Sequence, residues 1–160
     1  MTRAFVALGS NLADPIKQVR EALAALVQLD NVCLVRHSSL YRTVPFGYTD
    51  QPDFINAVAE LDTGLSPLLL LDALLSLEAC FGRIRTFRYA PRLLDLDLLW
   101  YQGVTRTHGR LILPHPCMTE REFVIVPLAE IAPELDLGPL GTVIQLAGQF
   151  SGEGITRLSE

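Results

Sequence analysis

Two dipeptides that begin helices divide this chain and set the order of its elements. Asp14-Pro15 and Ser66-Pro67 each place a residue suited to capping a helix directly before a proline at the first helical position. Each follows an apolar segment short enough for a strand, Arg3 to Leu8 in one case and Phe54 to Leu61 in the other. The sequence therefore predicts two units in which a strand leads into a helix.

Further apolar segments complete the predicted order. Val32 to Tyr41 and Leu94 to Tyr101 are typical of strands, and a short helix is predicted near Met118 to Arg121, followed by a strand that begins at Phe123. The order strand, helix, strand, strand, helix, strand is that of the α+β ferredoxin-like fold. Its sheet contains antiparallel pairs, and we expect its helices on one side. A chain of 160 residues is too short for two ordinary domains, so we expect a single domain over 1–160 with a C-terminal strand and helix extension.

Positive charge is unevenly distributed along an acidic chain. The formal net charge of −5 argues against a nucleic-acid partner. Twelve of the 13 basic residues are arginine, and four of them stand between Arg83 and Arg92 with no acidic residue among them. Guanidinium groups bind phosphate through paired N–H donors, and four such charges repel each other unless an anion joins them. This segment therefore predicts a site for a phosphorylated substrate.

Other features exclude several kinds of protein. The apolar runs are far shorter than the roughly 20 residues needed to span a bilayer, so we expect a cytoplasmic protein with no membrane partner. The hydrophobic content of 49% is enough to fold without a partner, and we expect a monomer. Cys33, Cys80 and Cys117 are odd in number and widely spaced, which predicts buried, unpaired side chains and no disulfide framework or zinc site.

Asp95 and Asp97 are the strongest candidates for a metal site. On a strand they share one face with Leu99, with attachment points roughly 7 Å apart. The opposite face is predicted to carry Leu94, Leu96, Leu98 and Trp100. A solvated strand face is the alternative explanation of any Asp-x-Asp pair. Here the apolar neighbours predict a central strand, where two unpaired carboxylates would repel each other, so we expect divalent cations between them. Oxygen ligands of this kind suit Mg²⁺, which completes its shell with water and substrate phosphate.

Common nucleotide and nucleophile motifs are missing from the sequence. It contains no G-x-x-x-x-G-K-[ST] loop, no G-x-G-x-x-G fingerprint and no G-x-S-x-G elbow. His115 lies between two prolines, with Arg110 and Arg121 close in sequence. A lone histidine is commonly structural, but this setting also predicts a contact with phosphate.

Five segments, in order, resemble the 6-hydroxymethyl-7,8-dihydropterin pyrophosphokinase family. The most specific is Arg88-Tyr-Ala-Pro-Arg-Leu-Leu-Asp-Leu-Asp-Leu-Leu99. The others are Leu8-Gly-Ser-Asn-Leu12, Tyr41-Arg-Thr-Val-Pro45, Asp50-Gln-Pro-Asp-Phe-Ile-Asn56, and Leu113-Pro-His-Pro116 with Arg121 and Phe123. The resemblance covers roughly residues 3 to 135, and five ordered matches are far more specific than any one of them.

The resemblance implies a reaction with two substrates, ATP and 6-hydroxymethyl-7,8-dihydropterin. The β,γ-pyrophosphoryl group of ATP would pass to the hydroxymethyl oxygen, with release of AMP, in folate biosynthesis. By this similarity, Asp95 and Asp97 bind two Mg²⁺ ions together with ATP, and Arg83, Arg85 and Arg92 belong to a catalytic loop over the phosphates. The implied ATP contacts are Glu78, Arg85, Arg110, His115 and Arg121.

The same resemblance implies a pterin pocket. Its residues would be Thr43, Val44, Pro45, Phe46, Phe54, Asn56, Tyr89, Arg92 and Phe123. A flat aromatic ligand with polar edges needs stacking surfaces and amide or backbone partners, which these residue types supply. Without the resemblance, Phe54, Asn56 and Phe123 are equally consistent with a protein core.

Departures from the family pattern leave two alternatives open. Tyr89 stands where the family often has Trp, Thr86 where it has a second basic residue, and Ile112 where a hydroxyl side chain is common. One alternative is a catalytically weak paralogue that binds pterin and ATP. The other is a different metal-dependent nucleotidyl or glycosyl transferase with an Asp-x-Asp site. The retained aspartates and arginines favour the pyrophosphokinase over the first alternative, and the pterin-pocket residues favour it over the second.

Overall fold

A computed structural model describes residues 1–45, 49–82 and 93–159 of the chain. The strands within these ranges are β1 (Thr2–Ser10), β2 (Val32–His37), β3 (Tyr41–Thr43), β4 (Phe54–Thr63), β5 (Asp95–Tyr101) and β6 (Ile155–Arg157). The helices are α1 (Pro15–Val27), α2 (Pro67–Cys80), α3 (Glu122–Ile131) and α4 (Val143–Ala147), with short 3₁₀ turns at Met118–Glu120 and Gly138–Leu140.

Both predicted helix starts are confirmed. The Asp14 carboxylate accepts a hydrogen bond from the backbone N–H of Lys17 at 3.4 Å, and the Ser66 hydroxyl accepts one from Leu69 at 3.4 Å. In each helix, the proline stands in the first turn, where its missing N–H removes no intrahelical hydrogen bond. These caps satisfy backbone donors that the helix itself leaves free.

The sheet has the order β5-β1-β4-β3-β6, with β2 also pairing with β4, and every pair is antiparallel. The predicted strand from Val32 to Tyr41 is two strands, because the Ser38 hydroxyl accepts from Val58 N at 2.9 Å and replaces a regular bond between strands. When β2 and β3 are counted as one interrupted strand, the core is the predicted ferredoxin-like fold.

Helices cover both faces of this sheet, so the expectation of helices on one side is wrong. One apolar cluster includes Val19, Leu23 and Leu26 of α1 with Leu70 and Leu74 of α2. The other face of the sheet is apolar as well, and α3 and α4 pack on it. Phe123 lies in the first turn of a helix and does not begin the predicted strand, since residues 122–131 supply the apolar side chains that cover this second face.

β5 pairs with β1 and lies at the end of the described sheet, so the prediction of a central strand is wrong. Its apolar character reflects burial on both faces, with Leu94, Leu96 and Leu98 in the first cluster and Leu99 in the second. A bulge between Phe5 and Val6 of β1 shifts the register from Leu98 to Trp100. Trp100 therefore packs beside Leu99 in the second cluster, and not on the predicted opposite face.

The cysteines are unpaired, as predicted, but they are not buried. Cys33 and Cys80 are exposed and Cys117 is half-buried, because they lie on the outer strand β2, at the last residue of α2 and in the turn before Met118. Within the described residues, no helix has the length and apolar character needed to cross a membrane.

Because the two clusters share one sheet, we expect them to unfold together. Leu26→Ala in α1 and Leu128→Ala in α3 each remove a fully buried side chain and should each cost about 2–5 kcal/mol of unfolding free energy. Leu69→Ala, at a position that is 56% exposed, is the control and should change stability by less than about 0.5 kcal/mol. Denaturant unfolding followed by fluorescence and circular dichroism should show one transition in every variant. Two separate transitions would contradict a single domain over 1–160.

Candidate active site at the end of strand β1

Three neighbouring strands place a predicted metal ligand and a predicted pterin ligand in one row. Gly9 of β1 lies opposite Asn56 of β4 on one side and opposite Asp95 of β5 on the other. Residues directly opposite each other in antiparallel strands point to the same face of the sheet. Gly9 has no side chain, so the Asn56 amide and the Asp95 carboxylate face the same side of the sheet with no Cβ atom between them.

The Asn56 amide is held in one orientation by close contacts. Its Nδ2 donates to the Thr43 hydroxyl oxygen at 2.7 Å, and both side chains are buried. A Cβ atom at Gly9 would lie 2.7 Å from Asn56 Oδ1, closer than real Cβ contacts allow. Gly9 is therefore required where it stands. The predicted first strand ended at Leu8 and left Gly9 without a role, although a glycine inside a strand can signal a close approach of this kind.

This face of the sheet is the one that α3 covers. Tyr41, on the same face as Asn56, donates from its hydroxyl to the Glu130 carboxylate of α3 at 2.6 Å. At the other end of α3, Arg121 Nη1 lies 4.0 Å from Asp97 Oδ2, and the Arg121 guanidinium lies 5.6 Å from the centre of the Phe123 ring. The start of α3 thus brings two more predicted site residues to the aspartates.

One nitrogen of the Arg121 side chain is available to a ligand. Its Nε is buried and has no hydrogen-bond partner within the described parts of the chain. A buried donor without a partner is costly, and an anionic ligand would satisfy it.

A cleft of about 310 Å³ lies along the outer edge of β5, between α2 and residues 109–116. Its lining is Leu71, Leu75, Glu78, Leu96, Asp97, Leu98, Gly109, Arg110, Leu111, Ile112, His115 and Pro116. Apolar walls with a few convergent polar groups are typical of sites for small organic molecules. The cleft brings together three predicted ATP ligands, Glu78, Arg110 and His115, with the predicted metal ligand Asp97.

Two of these predicted ATP ligands have protein partners in the structure. The Glu78 carboxylate is buried and accepts from the backbone N–H of Leu96 at 2.6 Å, so it attaches α2 to the outer edge of β5. Arg110 is half exposed and forms an ion pair of 2.8 Å with Asp72. Contact with a nucleotide stays a prediction for both residues.

His115 is fixed at the mouth of the cleft by its neighbours. Its backbone N–H donates to Leu99 O at 2.8 Å, and its ring Nδ1 lies 3.3 Å from the backbone N–H of Cys117. Acceptance at Nδ1 places the ring proton on Nε2. Burial lowers the pKa of His115 and the positive charge of Arg121 lowers it further, with Asp95 opposing both. At neutral pH the ring is therefore a neutral donor.

Asp95 and Asp97 are a pair of carboxylates that could hold a metal ion together with a substrate. Both are half-buried, and within the described residues there is no group of three or more His, Cys, Asp or Glu side chains that could enclose a cation. An oxygen-only pair with open positions suits a hard cation such as Mg²⁺, which retains water and binds substrate phosphate.

The remaining predicted pterin residues are only partly placed. Phe54 lies opposite Thr43 across the β3–β4 pair and is half-buried, Pro45 is half-buried, and Val44 is 58% exposed. The predictions for Phe46, Arg83, Arg85, Tyr89 and Arg92 lie outside the described residues.

The lowered pKa of His115 predicts a pH-dependent contribution to stability. Unfolded histidine takes up a proton as the pH falls through about 6.5, whereas folded His115 does so only at lower pH. The free energy of unfolding of the wild type should therefore fall below pH 6.5 by up to about 1.4 kcal/mol per pH unit from this group. His115→Gln should lack this component. Urea titrations from pH 8 to 5 measure it, and a wild-type–variant difference that stays constant over this range would contradict it.

The close approach at Gly9 predicts a strong effect of one methyl group. Gly9→Ala should destabilise the protein by about 1–3 kcal/mol, because the new Cβ must displace the buried Asn56 amide. Gly64→Ala is a matched control, since its Cβ would meet only ordinary contacts of 3.6 and 3.9 Å. That control should be neutral or more stable by up to about 1 kcal/mol. Equal melting temperatures for the two variants would refute the requirement at Gly9.

Comparison with known proteins gives a consistent set of matches. A family model described as 7,8-dihydro-6-hydroxymethylpterin-pyrophosphokinase (HPPK) matches residues 5–133. The chain is 46% identical over 159 residues to a Haemophilus influenzae protein named 2-amino-4-hydroxy-6-hydroxymethyldihydropteridine pyrophosphokinase, with 99% of each chain covered. A Pseudomonas aeruginosa protein of the same name is 47% identical over 156 residues, which cover 98% of this chain and 96% of the other.

Solved structures match the fold. A crystal structure of HPPK-DHPS in complex with substrates has a TM-score of 0.78 at 13% identity, over 99% of this chain and 47% of that chain. Plasmodium falciparum HPPK-DHPS with pteroate has a TM-score of 0.79 at 14% identity, over 98% and 45%. This chain spans about half the length of those solved chains, and at such low identity the likeness concerns the fold alone.

Proposed function

The chain belongs to the 7,8-dihydro-6-hydroxymethylpterin-pyrophosphokinase family, and we propose that the site at the end of β1 carries out its diphosphoryl transfer. The protein is accordingly a pyrophosphokinase of folate biosynthesis. In the proposed reaction, the hydroxymethyl oxygen of 6-hydroxymethyl-7,8-dihydropterin attacks the β-phosphorus of ATP. The bond between the α- and β-phosphates breaks, AMP leaves, the hydroxyl proton is released to solvent, and the pterin carries the diphosphate.

The observation that carries this proposal is the position of Asp97. It lines the cleft at the edge of β5, it lies 4.0 Å from Arg121, and it stands two residues from Asp95, which faces Asn56 across Gly9. A phosphate chain that extends from the cleft toward Asn56 would pass over both carboxylates. The nucleotide would then occupy the cleft, and the pterin would lie between Asn56, Phe54 and Phe123.

Asp95 and Asp97 would hold two Mg²⁺ ions when ATP is bound, and these ions would offset phosphate charge and lower the barrier to attack at phosphorus. Arg121 has a buried, unpartnered Nε that can donate to a phosphate oxygen. His115 offers its Nε2 proton as a neutral donor. Both are held in place before any substrate binds, so little reorganisation is needed during the reaction.

The site would recognise both the polar edge and the aromatic faces of the pterin ring. The Asn56 amide is fixed by Thr43, so it can offer donor and acceptor atoms in one defined orientation. Phe54 and Phe123 supply aromatic surface for stacking. The proposed role over the phosphates belongs to Arg83, Arg85 and Arg92. The proposed contacts near the pterin are those of Phe46, Val44, Pro45, Tyr89 and Arg92.

The alternatives are less well supported. Relatives of 42–47% identity carry the name of the pyrophosphokinase, and this favours the enzyme over a catalytically weak paralogue. A general Asp-x-Asp transferase would have no evident need for an amide such as Asn56, held by Thr43, beside its aspartates. We further propose that the chain acts as a single domain, as a monomer and in the cytoplasm.

Product identity tests the reaction directly. Incubation of the protein with ATP, Mg²⁺ and 6-hydroxymethyl-7,8-dihydropterin should yield AMP and a pterin diphosphate in equal amounts, measured by chromatography. Asp95→Asn and Asp97→Asn should each lower kcat on the order of 100-fold or more, because each removes a charged ligand from the metal site.

Asp62→Asn, on β4 opposite Arg3, is the matched control and should keep wild-type activity, since the bound substrates would lie at the other end of the sheet. Formation of ADP in place of AMP would overturn the proposed reaction. Wild-type turnover by Asp97→Asn would overturn the proposed metal site.

A further inference from the structure

We propose that residues 152–157, the C-terminal strap, position the two walls of the pterin pocket and so set the affinity for the pterin. This inference rests on the proposed function. The match to the family model ends at residue 133, well before the strap. The two walls are Thr43-Val44 on one side and residues 121–123 at the start of α3 on the other.

The strap is bonded to the first wall along its backbone. β6 pairs with β3 so that Ile155 lies opposite Thr43 and Arg157 opposite Tyr41. The bonding continues past the strand, where Val44 N–H donates to Gly154 O at 3.0 Å. β3 has only three residues, so β6 is the neighbour that supports its second edge.

The strap also reaches the second wall. Gly152 N–H donates to Glu122 Oε2 at 3.3 Å. Glu122 stands between Arg121, which lies near Asp97, and Phe123, whose ring contacts the Arg121 guanidinium. A hydrogen bond to Glu122 therefore restrains the turn of helix that presents both side chains to the site.

Gly154 lies where the two walls come together. A Cβ atom at this position would lie 3.1 Å from Val44 Cγ2 and 3.8 Å from Glu122 Oε1. The space between the two walls at Gly154 is therefore too small for a larger side chain. A side chain here would press on Val44, which follows Thr43, the residue that orients the Asn56 amide.

The far end of the strap is anchored to α3 by charge. Arg157 donates from Nε to the Ser39 hydroxyl at 3.0 Å and from Nη2 to the Glu130 carboxylate at 3.4 Å. The same carboxylate accepts from Tyr41 and from the backbone N–H of Ser39. The strap is therefore attached at both ends of α3, and it can transmit the position of α3 to β3.

The expected consequence is selective. The strap contacts Val44 and Glu122, and it has no residue among those lining the cleft at the edge of β5. Weakening it should therefore impair pterin binding more than ATP binding, which the strap can affect only through Arg121. A purely structural role would lower the melting temperature without separating the two substrates.

Glu122→Ala tests the strap, with Glu122→Gln as the conservative variant and Glu153→Ala as the matched control. Glu122→Ala should raise the KM for the pterin about five-fold, as expected for the loss of one hydrogen bond, with a smaller rise in the KM for ATP because Arg121 lies on the same turn. Glu122→Gln retains an acceptor oxygen and should restore the wild-type value. The exposed Glu153 side chain makes no hydrogen bond or ion pair within the described residues, so Glu153→Ala should behave as wild type.

Gly154→Ala provides an independent second variant, with Gly148→Ala as its control because a Cβ there meets only contacts of 3.5 and 3.8 Å. Gly154→Ala should raise the pterin KM, and Gly148→Ala should not. Unchanged pterin KM in both Glu122→Ala and Gly154→Ala, or an equal rise in the KM for ATP, would overturn the strap.

Binding separates this inference from the reaction itself. Calorimetry of the pterin with each variant, in the presence of a non-hydrolysable ATP analogue, requires no turnover. Weaker pterin binding by the strap variants supports the strap even where the wild type releases no AMP, a result that would refute only the proposed reaction. Equal pterin affinity in all variants overturns the strap even where the wild type is fully active.

Discussion

The hydrogen bond from Leu96 N–H to the Glu78 carboxylate fixes the strand on which the proposed chemistry depends. β5 lies at the end of the described sheet, and an edge strand with open backbone groups is prone to fray or to pair elsewhere. The buried carboxylate satisfies one of those outward groups at 2.6 Å, and the backbone N–H of His115 satisfies another at Leu99 O. Hydrogen bonds to a carboxylate are stronger than those between neutral backbone groups. Glu78, Leu96 and His115 also line the cleft. The same contacts that hold β5 therefore shape the proposed nucleotide site.

Burial on both faces explains how an edge strand can carry so many apolar residues. The first cluster packs Leu94, Leu96 and Leu98 against α1 and α2, and the second packs Leu99 beneath α3. Asp95 and Asp97 point to the second face, at the end where Gly9 has no side chain and α3 begins. The aspartates therefore lie at the margin of an apolar layer, where charge is only partly screened and cations are held more strongly than in water.

Local signals in the sequence were sufficient for the elements that depend on near neighbours. The caps at Asp14 and Ser66, and the Asp-x-Asp pair on one strand face, follow from residues a few positions apart. The predictions that proved wrong depend on long-range packing. Which surfaces meet in the folded chain determines the edge position of β5, the helical conformation of Phe123 and the exposure of Cys33. The displacement of Trp100 depends on a bulge opposite Phe5, for which the local pattern holds no signal. The resemblance supplied the proposed site residues, but it could not show why Gly9 must lack a side chain.

The site takes residues from three adjacent strands, so its geometry depends on register. Asp95, Gly9 and Asn56 face one another only in the observed alignment, and a shift of one residue in β1 would turn its neighbours to the opposite face. The register is secured on both sides, by the long pairing of β1 with β4 and by the burial of Ala7 and Leu8 in different clusters. The opposite wall has no such ladder, since Arg121 and Phe123 reach the site from the first turn of a helix. A contact that joins this turn to the sheet is therefore the place where the fold can adjust the pocket without altering the carboxylates. The C-terminal strap occupies that place, and in the proposed function this division would make the pterin side of the site adjustable while the metal side stays fixed.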